Sequence, residues 1–72
     1  MTVGDRVRIV RLLPGIRIGD VDSQLRTGDL GVVRQVGAQA GSVRYVVALH
    51  RPGGVEWLLG FTDEELAPAD GS

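Results

Sequence analysis

The sequence lacks cysteine and lysine and has few aromatic residues, and each of these absences excludes something. Without cysteine, the chain of 72 residues forms no disulfide and no cysteine-ligated zinc site, and it has no thiolate for catalysis. All eight basic residues are arginine, which favours bidentate pairing with carboxylates over diffuse ammonium charge. The aromatic residues are Tyr45, Trp57 and Phe61, too few for an exposed aromatic groove or cage.

Long apolar runs are also missing. No segment approaches the roughly 20 apolar residues that cross a bilayer, and the first residues, 1–5, do not have the basic-then-apolar pattern of a signal peptide. We therefore expect an unprocessed cytoplasmic protein with no membrane insertion. A chain this short forms one domain, which buries only about 60% of the surface that its unfolded form exposes. We predict a single domain at residues 1–68 and a flexible tail at residues 69–72.

Groups for catalysis or metal binding are scarce. His50 is the only histidine, and further ligands of matching type are not placed beside it, so we expect it to face solvent in a loop. Asp20 and Asp22 share one polar run, but the alternating oxygen ligands and the closing glutamate of a calcium loop are absent. Neither a nucleophile elbow nor a glycine-rich phosphate loop is present. We therefore predict no catalytic residue, no metal site, no cofactor and no enzymatic activity.

What the sequence does contain is a series of short strand patterns. Apolar residues alternate with arginine after Gly4-Asp5, and three further apolar segments are separated by glycine-containing loops. A long loop, residues 12–27, follows the first strand and is expected to be ordered, because four aliphatic residues are spread along it after Pro14-Gly15: Ile16, Ile18, Val21 and Leu25. The predicted strands lie at residues 6–11, 30–36, 43–49 and 55–61, with a short edge strand at residues 67–68.

The stretch Gly28 to Val36 reads Gly-x-x-Gly-x-Val-x-x-Val. This order suits a strongly bent strand in which Gly31 adopts a backbone angle that other residues avoid, and in which Val33 and Val36 fill the core. The small residues that follow, 37–42, predict a mobile hairpin tip. The stretch therefore organises the fold and leaves only Arg34 to meet a partner.

The hairpin around residues 50–54 is expected to pair Leu49 with Val55. This register places Tyr45, Val47, Trp57, Leu59 and Phe61 on the inner side of the sheet. It also places Val46 beside Leu58 on the outer side. Two interpretations of that apolar pair stay open, since either a curled barrel covers it or a partner binds it.

A capping box follows the fourth predicted strand. In the run from Thr62 to Glu65, the Thr62 hydroxyl accepts from the N–H of Glu65, and the Glu65 carboxylate accepts from the N–H of Thr62. A single helical turn should therefore precede the last strand. Five short strands, a long first loop and this turn predict an all-β, five-stranded, SH3-like barrel.

Four blocks of the chain resemble known SH3-like barrels: residues 4–9, 28–36, 45–47 and 64–68. The pattern is similar to the SH3-like accessory protein of photosystem I, to the variable subunit of ferredoxin-thioredoxin reductase, and to the barrel of the nitrile hydratase beta chain. The first two blocks also resemble a KOW module. The long loop, which ends in Leu25-x-Thr27-Gly28, is most similar to the reductase and nitrile hydratase barrels. The resemblance implies an accessory role, and it transfers neither a catalytic residue nor a cofactor ligand.

The charges are unevenly distributed along the chain. Residues 1–51 hold all eight arginines, whereas residues 52–72 hold five acidic residues and no basic one. The arginines either pair within the chain or present a face to an acidic protein. The candidate partner-binding residues are Arg6, Arg8, Arg11, Arg34, Arg44, Val46 and Leu58.

Two functions are consistent with these observations. The first is a non-catalytic protein-binding accessory or regulatory subunit, which docks through its arginine-rich face to a larger enzyme, either a redox enzyme or one built of several chains. The alternative is a KOW-like nucleic-acid-binding module of the translation or transcription machinery. Against the alternative stand the acidic pI and the shortage of stacking aromatics. A second copy of the chain is a further candidate partner.

Overall fold

A computed structural model describes residues 1–19 and 21–69 of the chain, and the side chain of Gln39 is not described. These residues form five antiparallel strands in the order β4-β3-β2-β1-β5. The strands are β1 (Arg6–Ile9), β2 (Leu30–Gln39), β3 (Ser42–Arg51), β4 (Val55–Thr62) and β5 (Leu66–Pro68). The all-β prediction is confirmed at this level. The sheet is open, because no pairing between β4 and β5 closes it within the described part of the chain.

Strand β1 is shorter than predicted and ends at Ile9. Its alternation is as expected, with Val7 and Ile9 buried and Arg6 and Arg8 exposed. The strand lies between β2 and β5. Beyond Ile9, the N–H of Val10 donates to the carbonyl of Glu65, in register with the β1–β5 pairing, but Glu65 belongs to the helical turn that precedes β5. The pairing with β5 extends to Ala69, whose N–H donates to the Arg6 carbonyl, and the rest of the predicted tail lies outside the described residues.

The hairpin between β2 and β3 is longer than predicted. Both strands continue through the small residues that we expected to form a mobile tip, and Gln39 pairs with Ser42. The connection is a turn of Ala40 and Gly41, which have φ values of 52° and 80°. Two successive residues with positive φ are typical of the tight turns that match the twist of a hairpin. The ladder therefore extends to the turn itself.

The predicted register of the β3–β4 hairpin is wrong by two residues. Arg51 pairs with Val55 and Leu49 pairs with Trp57, because Gly53 and Gly54 adopt φ values of 84° and 78° and form a shorter connection than expected. His50 consequently lies in β3, exposed and opposite Glu56, and not in a loop. A shift of two residues leaves every side chain on its predicted face.

Gly31 was predicted to adopt a backbone angle that other residues avoid, and this prediction is wrong. Its φ is outside the left-handed region, and glycine is required here by close packing. An added Cβ would lie 2.6 Å from Val47 Cγ1, 2.7 Å from the Ala48 carbonyl oxygen and 2.8 Å from Leu49 Cδ2. The residue that does adopt positive φ in this stretch is Gly28, at 100°.

A β-bulge at Arg34 sets the faces of β2. The pairing moves from Val33 opposite Val47 to Gln35 opposite Val46, so one residue is inserted and the alternation changes phase. Val36 is then opposite Tyr45, on the same face as Val33. Val33 is fully buried, but Val36 is 41% exposed because it lies toward the end of the hairpin, beyond the core. The prediction that Val36 fills the core is therefore wrong.

The core lies between the inner face of the sheet and the long loop that follows β1. Leu25 of this loop is buried, and Leu12 and Val21 pack against the core. The loop contains a 3₁₀ helix at Val21–Gln24, and two further 3₁₀ turns lie at Pro52–Gly54, between β3 and β4, and at Asp63–Glu65, before β5. The buried residues of the core cluster are Val7, Ile9, Leu25, Val33, Tyr45, Val47, Leu49, Phe61 and Leu66.

Candidate functional site

The outer face of the sheet carries a row of side chains that crosses four strands. Arg6 in β1 is opposite Val32 in β2, Val32 is opposite Ala48 in β3, and Ala48 is opposite Leu58 in β4. Directly opposed residues on one face of an antiparallel sheet lie about 5 Å apart at their Cβ atoms. The row is therefore one continuous strip, with a guanidinium group at one end and apolar side chains along the rest.

A second row runs beside the first. Arg8 is opposite Leu30, and His50 is opposite Glu56. Because Gly31 pairs with Leu49, Leu30 and His50 are neighbours across β2 and β3, and the row is continuous. The two rows, together with Arg34 at the bulge of β2 and Val46 in β3, form what we call the outer face: Arg6, Arg8, Leu30, Val32, Arg34, Val46, Ala48, His50, Glu56 and Leu58.

The apolar part of the outer face is accessible. Leu58 is 64% exposed and Leu30 is 56% exposed, whereas Val32 and Val46 are half-buried. Ala48 is buried although it lies on this face, since it sits at the centre of the strip among larger side chains. The exposed Leu58 and Leu30 thus lie on either side of this less exposed centre, with charged groups around them, and such a combination is typical of a contact surface.

Two shallow hollows mark the ends of the strip. One has a volume of about 280 Å³ and is lined by Arg6, Leu30, Gly31, Val32 and His50. The other has a volume of about 320 Å³ and is lined by Arg34, Glu56 and Leu58. Each hollow combines an aliphatic wall with at least one guanidinium group. A partner segment in which an aliphatic side chain lies next to a carboxylate matches this chemistry.

The charge of the outer face is predominantly positive. Arg34 Nη2 lies 3.3 Å from Glu56 Oε1, and both side chains of this pair are well exposed. An ion pair at such a position contributes little to stability. Arg6 and Arg8 have no carboxylate within salt-bridge distance among the described residues. Their guanidinium groups are therefore available to a partner.

The seven residues predicted to bind a partner do not all lie together. Arg6, Arg8, Arg34, Val46 and Leu58 lie on the outer face. However, Val46 is opposite Gly60, not Leu58.

Arg44 and Arg11 lie away from the centre of this face. Arg44 is opposite Thr62 and lines a separate cleft of about 310 Å³ with Asp63 and Glu64. Arg11 is exposed in the loop beyond β1.

Sequence reasoning missed Leu30 and Val32 as members of the outer face. Their strands were predicted, but no pattern within one strand reveals which residue of the next strand it will oppose. A signal was present for Leu30 and Val32, because they are spaced by two residues, as are Arg6 and Arg8. That spacing identifies residues of one face only once the pairing of β1 and β2 is known.

A buried ionic cluster, also missed, holds the long loop to the sheet. Arg17 Nη2 lies 2.5 Å from Glu65 Oε2, and Arg17 Nε lies 2.5 Å from Asp22 Oδ1. The Arg17 side chain is only 4% exposed and that of Glu65 is fully buried. Arg17 Nη1 also donates to the Gly60 carbonyl, and the guanidinium lies over the Phe61 ring at 4.6 Å from its centroid.

The Glu65 carboxylate is held by backbone donors as well. It accepts from the N–H of Leu13 at 2.9 Å and from the N–H of Thr62 at 3.0 Å. The second contact is the return half of the predicted capping box. Burial raises the pKa of Glu65, but the hydrogen bonds from Arg17, Thr62 and Leu13 and the charge of Arg17 outweigh it, so the pKa is lowered below its usual range. The hydrogen bond to Glu65 likewise raises the pKa of Arg17.

The charged groups of this cluster are paired with one another. We therefore assign the cluster a structural role. Within residues 1–19 and 21–69, every buried side-chain nitrogen and oxygen atom has a hydrogen-bond partner. Among the same residues, no three histidine, cysteine, aspartate or glutamate side chains gather to hold a metal ion. Asp20, half of the carboxylate pair considered in the sequence, lies outside the described residues, and Asp22 is bound by Arg17.

The aromatic residues lie away from the outer face. Tyr45 and Phe61 are buried in the core. Trp57 is half-buried on the inner side, and the Arg51 guanidinium covers its ring at 4.7 Å from the centroid. Arg51 also donates to the Gln24 carbonyl and approaches Asp29, so it ties the loop to the end of β3. Over the described residues, the outer face therefore carries no Tyr, Trp or Phe ring, and the exposed His50 imidazole is the one ring of this face on which a base could stack.

In the described part of the chain, no helix is both long enough and apolar enough to span a membrane. Comparison with protein-family models, with curated proteins and with solved structures gives no match to this chain.

Proposed function

We propose that the chain is a non-catalytic protein-binding module, an accessory or regulatory subunit built as an SH3-like barrel, and that it docks an acidic partner on its outer face. The observation that carries the proposal is the cross-strand row Arg6, Val32, Ala48 and Leu58. It joins the accessible guanidinium group of Arg6 to the exposed Leu58 across half-buried and buried aliphatic side chains of one sheet. Such a surface suits a protein segment with carboxylates beside an apolar side chain.

Charge complementarity specifies the partner further. Arg6 and Arg8 lie on β1, and Arg34 lies in the bulge of β2, so guanidinium groups border the apolar strip on two sides, whereas Glu56 is the one carboxylate among the outer-face residues. Arginine binds carboxylates bidentately and loses little mobility when it does so. We expect a partner whose contact surface bears Asp or Glu around a Leu, Ile or Val.

A KOW-like nucleic-acid-binding module is the alternative. The same arginines would contact phosphates, and this is the argument in its favour. The aromatic residues give it no support, since Tyr45 and Phe61 are buried and Arg51 covers Trp57. Single-stranded nucleic acid is usually held by base stacking on exposed rings in addition to phosphate contacts. The protein-binding function is therefore the better supported of the two.

The experiment begins by identifying the partner with a photo-reactive residue. Leu30 is exposed within the outer face, and replacing it with p-benzoylphenylalanine allows crosslinking in the source cells. The captured protein is then purified and its affinity measured by isothermal titration calorimetry. Arg8→Glu should raise the Kd by about tenfold or more, because a like charge then faces the partner's carboxylates.

A matched control is the same charge reversal outside the outer face. Arg26 is exposed in the long loop, and Arg26→Glu should leave the affinity within about twofold, since long-range charge effects are screened by salt. Equal losses for the two variants would contradict docking on the outer face. Fluorescence polarisation with a short labelled single-stranded RNA at low salt tests the alternative. Binding of this RNA that Arg8→Glu abolishes would favour the nucleic-acid module over the protein-binding one.

A further inference from the structure

Strand β4 is a long, exposed edge of the sheet. It spans eight residues, and β3 is its only strand partner within the described chain. The opposite edge, β5, has three residues and ends in Pro68, which cannot donate a backbone hydrogen bond. Native edges usually carry lysine, proline or a bulge that prevents pairing with another chain. Strand β4 has none of these features.

The backbone groups that face outward from β4 can be identified. The Gly60 carbonyl accepts from Arg17 Nη1 at 2.9 Å, so it points away from β3. Backbone groups alternate in direction along a strand, which means that the N–H and C=O groups of Glu56 and Leu58 also face the free edge. Arg17 protects the edge at Gly60 only, and the segment from Val55 to Leu59 is left open.

The side chains at this open segment are complementary to their own copy. Arg34 lies beside Glu56 and Leu58 in one hollow on the outer face. Its single contact to Glu56, at 3.3 Å, uses one nitrogen of a guanidinium that is 56% exposed, and a guanidinium has five N–H donors. A carboxylate placed opposite Leu58 would therefore meet Arg34 as well.

We infer that two copies of this chain pair through their β4 strands, antiparallel and about a twofold axis at Trp57. In this register, Glu56 of one copy lies opposite Leu58 of the second, and the two residues exchange backbone hydrogen bonds. Each Arg34 then has Glu56 of its own copy and Glu56 of the second copy within reach. On the outer face, no like charges lie directly opposite each other, and the exposed Leu58 of each copy lies beside Glu56 of the second.

The pairing joins the two sheets into one continuous surface. The clusters of Arg6 and Arg8 then lie at its two ends, because β1 is three strands away from β4. The inference does not rest on the proposed function, since β4 can pair whether or not the outer face binds a partner protein. The two hypotheses are therefore tested separately: Arg8 is changed to test docking of a partner, and Arg34 is changed to test pairing through β4.

The experiment is light scattering after size-exclusion chromatography of the full chain over a range of concentrations. We expect a mass of twice the 7.7 kDa of the single chain, with dissociation on dilution and at high salt because the ion pairs are exposed. Arg34→Glu and Glu56→Arg should each give the single-chain mass, since each variant brings like charges together across the axis. A wild-type chain that remains single at every concentration would overturn the inference.

A mixture of the two variants provides the sharpest control. In a mixed pair, the two arginines of one chain face the two glutamates of the other, so the mixture should recover the double mass that neither variant has alone. Single-chain mass in the mixture would show that the reversals act within one copy and would refute the register. Persistence of the double mass in either variant alone would place the contact elsewhere.

Two further variants keep the test independent of folding. Arg44→Glu makes the same charge change on β3, opposite Thr62 and away from the open segment, and it should leave the double mass unchanged. Leu58→Asp changes a side chain that is 64% exposed and places a carboxylate opposite Glu56 of the second copy, so it should give the single-chain mass. Circular dichroism of each variant confirms that the sheet is retained, and a folded Leu58→Asp variant that still pairs would reject the proposed register.

Discussion

Arg17 and Glu65 are 48 residues apart in the chain, yet their charged groups meet at 2.5 Å, with the Glu65 side chain fully buried and that of Arg17 almost so. One residue belongs to the long loop after β1, and the other ends the 3₁₀ helix before β5. The pair therefore connects the loop to the end of the sheet. Its burial distinguishes it from the exposed Arg34–Glu56 pair, and this contrast leads to the first prediction.

Removing Arg17 should destabilise the fold strongly. In Arg17→Ala, the buried Glu65 carboxylate loses its counter-ion, a change that typically costs about 3–5 kcal/mol. A domain of this size has a total stability of only about 0.05–0.15 kcal/mol per residue. Urea unfolding followed by Trp57 fluorescence measures the loss. Arg34→Ala, which breaks an exposed pair, should cost less than about 1 kcal/mol, and similar losses for both variants would contradict the importance of burial.

Acid should destabilise the protein through Glu65. The pKa of this group is lower in the folded chain than the ordinary value of 4.5, so its contribution to stability is fully present above that value. The contribution is lost as the pH falls from about 4.5 through the lower pKa of the folded state. We expect the free energy of unfolding to decrease over this interval. The decrease should be smaller in Glu65→Gln, and an unchanged pH profile in that variant would assign the acid sensitivity to another carboxylate.

Gly31 should not tolerate a methyl group. In Gly31→Ala, the new Cβ would lie 2.7 Å from the Ala48 carbonyl oxygen, which belongs to β3, a strand paired on both sides, and cannot move freely. Overpacking of this kind costs about 1–3 kcal/mol. Gly37→Ala is the matched control in the same strand, because no atom lies within 4 Å of its Cβ position and its φ is not positive. Thermal unfolding should show a decrease in Tm for the first variant and no decrease for the second.

The turn at Ala40 should be open to improvement. Its φ of 52° lies in the left-handed region, which costs a residue with a Cβ roughly 1 kcal/mol. Asparagine adopts this conformation readily and precedes glycine in the favoured hairpin turns. Ala40→Asn should therefore raise the Tm. The same substitution at Ala38, which pairs with Val43 inside the ladder, should lower it, and a lower Tm for Ala40→Asn would contradict this explanation.

The sequence was sufficient to predict the strands, because their signals are local. Alternation predicted Arg6 to Ile9, and glycine and proline marked the turns. Register was less predictable, since it depends on backbone angles at Gly53 and Gly54 that two glycines leave free. The same limit applies to the outer face: Leu58 was placed on the outer side of the sheet, with its exposure left open, but Leu30 and Val32 join this face only through the pairing of β1 with β2. Arg17 could not be predicted as buried, because its partners are distant in sequence.

Strands β2, β3 and β4 are joined by a turn of Ala40 and Gly41 and by the turn at Pro52–Gly54, so each pairs with its neighbour in the sequence. By contrast, β1 pairs with β5 across most of the chain. Contacts between distant residues form late in folding, because closing a long loop costs conformational entropy before the contacts that stabilise the closed loop have formed. The three-stranded unit should therefore be organised in the folding transition state, and the union of β1 with β5 should set the folding rate.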